Sequence, residues 1–140
     1  MEERLIRIPQ EYIDEMISHS LQDDPDECCG ILAGKDSKVS RLYRIRNSTP
    51  SPYRYVMDPQ EMLKAMRDSD CRGIELQAFY HSHTHSPAYP SETDTRMAVD
   101  SGWVDFCYIL VSLENKGLPD VRFYIVGSEG EISEEQIEII

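Results

Sequence analysis

Three of the chain's four histidines fall within residues 80–94, Tyr80-His81-Ser82-His83-Thr84-His85-Ser86-Pro87-Ala88-Tyr89-Pro90-Ser91-Glu92-Thr93-Asp94. His81 and His83 are two apart at the end of a run that reads as a strand. A period of two places both imidazoles on one face. Two imidazoles at the mouth of a loop can bind one metal ion, but a catalytic zinc site generally takes three protein ligands and keeps a further position for water. Asp94 is the natural third ligand. Pro87 and Pro90 make the intervening segment a loop that returns the chain, and Asp94 falls in the first turn of the helix that follows. Two histidines and an aspartate suit Zn²⁺ and leave one position open. Each half of this pattern is ordinary alone. Histidines at strand ends are often only polar residues, and Ser91-x-x-Asp94 is also a common helix-capping pattern. Their combination in this order singles out the stretch.

The rest of the chain must hold that stretch in place. Its 140 residues, 40% hydrophobic and 29% charged, suit one globular domain spanning residues 1–140. No apolar run approaches the ~20 residues of a membrane span, and Met1-Glu2-Glu3-Arg4 lacks the layout of a signal peptide. A cytoplasmic protein without a membrane partner is the expectation. The formal net charge of -12 argues against nucleic acid, whose phosphates require clustered Lys and Arg. It suits a soluble surface or a partner with a basic face. Cys28, Cys29, Cys71 and Cys107 form no Cys-x-x-Cys pair, so a cysteine-only zinc knuckle is not expected. Adjacent Cys28 and Cys29 would point to opposite faces of a strand and make poor disulfide partners. Reduced, mostly buried thiols follow.

Along the chain, Tyr12, Ile13, Met16, Ile17 and Leu21 recur at helical spacing, giving a helix with Pro9 in its first turn and a stop at Asp23-Asp24-Pro25. Residues 27–34 read as a buried strand, 35–38 as a turn and 39–45 as its hairpin partner. Residues 47–53 form a loop and 55–57 a short strand. Asp58-Pro59-Gln60-Glu61 starts a helix that runs to about Asp70. Residues 74–80 lead into the histidine stretch as a strand, and 91–100 are helical. Residues 104–113 and 121–126 make a second hairpin, and 132–140 are a last strand or short helix. Ile137, Ile139 and Ile140 leave a core contact and a homodimer contact equally open. The fold class is α+β or mixed α/β around one sheet.

The spacing His81-x-His83-x7-Ser91-x2-Asp94 resembles the metal signature of the JAMM (MPN+) metallopeptidases. That family also carries an upstream glutamate in a Pro-x-Glu-x-x-Gly setting, which Pro25-Asp26-Glu27-Cys28-Cys29-Gly30 matches. The likeness continues through Asn47 and Tyr55-Val56-Met57-Asp58-Pro59, so it spans nearly the whole chain, and no signature position departs from it. The resemblance implies a JAMM/MPN domain with a central, mostly antiparallel, curved sheet flanked by helices, related to the cytidine-deaminase fold. It implies one catalytic Zn²⁺ on His81, His83 and Asp94. Glu27 would be the general base that takes a proton from the attacking water and passes it to the leaving amine. Ser91 would donate to the developing oxyanion. Cys28 and Cys29 would pack, and His85 would be a loop residue.

Within the family the chain looks like the minimal prokaryotic branch, without room for the insertions by which the eukaryotic deubiquitinases grip ubiquitin. The His81-Ser82-His83-Thr84 start and the Tyr89-Pro90-Ser91 entry look most like bacterial enzymes that release cysteine from a small sulfur-carrier protein. The expected partner is therefore the C-terminal Gly-Gly tail of a ubiquitin-like or sulfur-carrier protein, cut from cysteine or lysine. The tail would lie extended along an exposed strand edge. The alternatives are a non-catalytic MPN scaffold, or a JAMM protein of phage tails or DNA repair. A zinc nucleobase deaminase needs His-x-Glu and Pro-Cys-x-x-Cys, and the chain has neither.

Overall fold

The structure, a computed structural model, describes residues 4–140. Residues 1–3, read above for the absence of a signal-peptide layout, lie outside the described residues. The elements run β1 (Leu5–Ile8), α1 (Gln10–Asp23), β2 (Cys29–Lys35), β3 (Lys38–Ile45), α2 (Pro59–Cys71), β4 (Glu75–His83), α3 (Glu92–Ser101), β5 (Phe106–Ser112), β6 (Asp120–Val126) and β7 (Ile132–Ile139). The strands neighbour one another in the order β1-β3-β2-β4-β5-β6-β7, and β1 also pairs with β7, so the sheet closes on itself. β2 is antiparallel to β3 and β4, as are β5 to β6 and β6 to β7. β4–β5 and both pairings of β1 are parallel. This is the expected mixed α+β class with a mostly antiparallel, curved sheet.

Four local expectations need correction. β1 was not anticipated; its four residues are too few to show a period, although Ile6 and Ile8 are buried between exposed Leu5 and Arg7. Residues 55–57 form no strand. Only a single bridge, Asn47 to Met57, forms there, because the Asn47 side chain occupies the backbone groups a neighbouring strand would use. Pro9 caps α1 from outside rather than sitting in its first turn. The tail of the chain takes the strand form of the two left open, since β6 offers it an antiparallel partner. The expected open edge beside the histidines is also absent, because β4 is paired on both sides. Among the described residues no helix is long and apolar enough to cross a membrane.

Both faces of the sheet are covered. α1 lays Ile13 and Met16 against Leu32, Tyr80, Ile109 and Val111 on one face. On the other, Ala65 of α2 and Ala98 of α3 meet Ile31, Phe79 and Leu110. Cys28 and Cys29 point to opposite faces and are both buried, whereas Cys71 at the end of α2 is exposed. Ile137 packs on the α1 side, while Ile139 and Ile140 are exposed.

Gly30 shows why a motif glycine is needed without any unusual backbone angle. A Cβ there would lie 2.1 Å from the Tyr80 ring. The bare backbone of β2 lets that ring lie flat beside it. The Tyr80 hydroxyl then bonds the buried His19 Nδ1 at 2.7 Å. Burial pushes the His19 pKa down, so its ring stays neutral there. Gly30→Ala should therefore overpack the β2–β4 contact and cost about 1–3 kcal/mol. Combined with Tyr80→Ala the loss should be less than the sum of the two single effects. Urea unfolding of the three variants checks this, and strict additivity would show that the ring is not what excludes a side chain.

Candidate metal centre

The β2–β4 register brings the two motifs together. Cys29 pairs with His81 and Gly30 with Tyr80. Past the end of β2 the pattern continues: the Ser82 N–H donates to the Cys28 carbonyl at 3.1 Å, and the Cys28 N–H donates to Ser82 Oγ at 2.9 Å. One more step along that register sets Glu27 opposite His83. With a period of two, Glu27, His81 and His83 share the face covered by α2 and α3. The 84–90 loop then carries the chain to α3 and is itself pinned. Ser112 Oγ donates to the Ser86 carbonyl at 2.7 Å, and the Tyr124 hydroxyl donates to the Ala88 carbonyl. α3 opens with a capping box in which Ser91 Oγ accepts from the Asp94 N–H and Asp94 Oδ2 accepts from the Ser91 N–H, both at 3.0 Å. That box aims Asp94 Oδ2 at the histidines.

His81 Nε2, His83 Nε2 and Asp94 Oδ2 converge. His81 and His83 are 3.2 Å apart at Nε2, and Asp94 Oδ2 is 3.1 Å from the first and 2.8 Å from the second. His83 Nδ1 lies 2.8 Å from the Pro87 carbonyl. A carbonyl only accepts, so Nδ1 carries the proton and a neutral His83 turns its Nε2 lone pair into the cluster. Lone pairs facing each other and a carboxylate at such distances repel unless something positive sits among them. Metal–nitrogen bonds of about 2.0–2.1 Å in a tetrahedron give ligand–ligand edges of about 3.3 Å, close to what is seen. The donor set therefore fits a small tetrahedral cation. Without one, burial raises the Asp94 carboxyl, but the His81 and His83 imidazoles outweigh burial and hold it well below the usual carboxylate range. Burial pushes His83 down, and Asp94 beside it more than reverses this.

Glu27 is buried, and its Oε1 has no hydrogen-bond partner among the described residues. Burial lifts its pKa from 4.5 to about 8; His83 pulls it down and Asp94 pushes it up. A buried, unpaired carboxyl is rare enough to require a reason. The other sequence-derived candidates fall as follows. Ser91 sits beside the cluster as the N-cap bonded to Asp94, and since its Oγ is engaged as an acceptor its own proton remains to be donated. His85 is exposed and outside the cluster. Burial pushes the Cys28 and Cys29 thiols up, so neither is a ready nucleophile. Three residues at the site were given no role from the sequence, although the family resemblance runs through Asn47 and Tyr55. Tyr55 stacks on the His81 ring with centroids 4.4 Å apart, Ser82 splints β4 to Cys28, and Asn47 bonds the Glu27 carbonyl at 3.1 Å. No spacing rule points to them, because each acts across elements distant in sequence. A cavity of about 200 Å³ lined by Tyr55, Met57, Met62, Met97 and Trp103 reaches Asp94.

In the metal-free chain Glu27 has a folded-state pKa above its unfolded value. Its favourable contribution to folding is complete below about 4.5 and is lost as the pH rises through about 8. Glu27→Gln should remove that loss, so metal-free Glu27→Gln should melt higher than metal-free wild type at pH 9 and show no such advantage at pH 4. Thermal melts in chelator across this range measure it.

Residues 9–126 match the family described as prokaryotic homologs of the JAB domain. A CysO-cysteine peptidase of Mycobacterium tuberculosis is 34% identical over 138 residues, covering 95% of this chain and 90% of that one. A desampylase of Pyrococcus furiosus is 32% identical over 132 residues, covering 94% and 89%. A solution structure of a Desulfitobacterium hafniense protein superposes with a TM-score of 0.86 at 32% identity, covering 96% of this chain and 92% of that one. With the His81-x-His83, Ser91-x-x-Asp94 and Glu27 motifs in one cluster and this match over most of its length, the chain belongs to the prokaryotic JAB/MPN family.

Proposed function

We propose that the chain is a zinc-dependent hydrolase that cuts an amide bond after the C-terminal Gly-Gly of a small ubiquitin-like or sulfur-carrier protein, releasing cysteine or a lysine-linked adduct. The observation that carries this reading is the convergence of His81 Nε2, His83 Nε2 and Asp94 Oδ2 on the face that holds the unpaired Glu27 carboxyl. The names of the two enzyme relatives support the substrate class. His81, His83 and Asp94 would hold the zinc, which when bound supplies a Lewis acid and brings the pKa of water down to about 7. Glu27 takes the proton of the attacking water and returns it to the leaving amine, a shuttle that needs a carboxyl free of other partners. Ser91 turns its hydroxyl proton toward the oxygen on which charge develops. Asp94 serves as ligand and helix cap with the same oxygen, so the helix N-terminus keeps its orientation during turnover. The apolar cavity beside Asp94 receives an apolar side chain of the tail upstream of the two glycines.

The direct test is metal analysis together with cleavage of a sulfur-carrier protein bearing cysteine on its C-terminal Gly-Gly. Wild type should contain one zinc per chain, lose activity to a chelator and regain it with Zn²⁺. Glu27→Gln should keep the metal and be inactive. Ser91→Ala should lose about 10²–10³ in kcat and, through the lost cap, about 1 kcal/mol of stability. A His81→Ala variant with full activity would sink the reading. The cavity can be probed separately, because Trp103 is the chain's single tryptophan. Short peptides ending in Gly-Gly should shift its emission when a leucine precedes the glycines and leave it unchanged when an aspartate does.

A further inference from the structure

Glu27 Oε1 has no partner to aim it, so the direction of this carboxyl must be set from its backbone. Two bonds hold that backbone, and both come from residues 47–51. The Glu27 N–H donates to the Ser51 carbonyl at 2.8 Å, and Asn47 Nδ2 donates to the Glu27 carbonyl at 3.1 Å. Asn47 is buried and uses every valence of its amide. Nδ2 also donates to the Arg54 carbonyl at 3.3 Å, while Oδ1 accepts from the Thr49 N–H at 3.1 Å and the Val56 N–H at 3.0 Å. An amide side chain has two donor hydrogens and two acceptor lone pairs, so none is idle. The loop folded around it carries Tyr55, whose ring stacks on His81 at 4.4 Å. The same loop accepts the Thr84 hydroxyl at the Pro52 carbonyl, 3.3 Å away.

The geometry points to Asn47 as the positioning residue of the site. It fixes the Glu27 peptide and the Tyr55 ring against His81 in one rigid unit, so that base and ligand keep a constant relation. This inference rests on the reading of Glu27 as the general base. Asn47 touches neither substrate nor metal. Its effect is on aim, and a displacement of about 1 Å at a catalytic group costs about 10²-fold in rate.

Asn47→Asp separates the two halves of its role. It keeps acceptors for Thr49 and Val56 and replaces the donor that faces Glu27 by an oxygen that cannot donate. Ser48→Ala is the control, since it removes only the bond from Ser48 Oγ to the Val56 carbonyl in the same loop. Zinc content, kcat and KM would be measured on the carrier–cysteine adduct, with Glu27→Gln as the inactive reference and amide hydrogen exchange as the second readout. Asn47→Asp should retain zinc and a nearly unchanged KM, with kcat lower by about 10–100-fold and faster exchange at the Glu27 amide. Thr49 and Val56 should stay protected, and Ser48→Ala should keep the wild-type kcat. If Asn47→Asp does not fold, Asn47→Ser carries the same test with the same expected direction. Wild-type kcat and unchanged Glu27 exchange in the Asn47 variant overturn the inference, as does a Ser48→Ala loss equal to that of Asn47→Asp. Full activity in Glu27→Gln would instead overturn the general-base reading, and the exchange result would still decide whether Asn47 holds the Glu27 peptide.

Discussion

Cys29 faces His81 across β2 and β4, and the other relations at the site follow from that pairing. A slip of one residue would turn Glu27 to the α1 face, away from the imidazoles, because side chains alternate along a strand. Several features resist such a slip. The Tyr80 ring occupies the space above Gly30 and is tied to His19 behind it. Ser82 continues the ladder beyond the last regular pair through its Oγ and its N–H. The same two strands are buried on both faces, where a change of register would carry each side chain into packing shaped for another.

Glu27, His81, His83 and Asp94 lie in or beside a packed layer, where uncompensated charge is costly. In the metal-free state Asp94 and His83 offset one another, but Glu27 has only a raised pKa to reduce the cost. A cation among the three donors would relieve the repulsion of their lone pairs and draw the Glu27 carboxyl toward its ionised form. The buried Glu27 carboxyl is therefore in local conflict with stability, of the kind expected at a functional site.

Several groups serve structure and site at once. The Asp94 oxygen that meets the imidazoles also completes the α3 capping box, and the Ser91 oxygen that caps the helix keeps a proton to donate. Asn47 shapes a loop while it holds the Glu27 peptide. Such double use gives a chain of 140 residues a preorganised site with few dedicated side chains. It also means that stability and activity will rarely separate cleanly in single substitutions there.

The sequence by itself determined the identity of the cluster. His81, His83, Ser91 and Asp94 are close enough in the chain for strand period, loop and cap to relate them, and the composition and hydrophobic patterning carried the α+β class and most elements. Glu27 was legible only through its resemblance to a family motif, because nothing local distinguishes a buried carboxyl from a solvated one after a turn. Tertiary structure alone decided three things. It placed Glu27 opposite His83, closed the sheet through the short strand β1, and made residues 55–57 part of a loop strapped by Asn47 rather than a strand. Each depends on hydrogen bonds between segments far apart in sequence, whose partners no period or spacing along the chain can name.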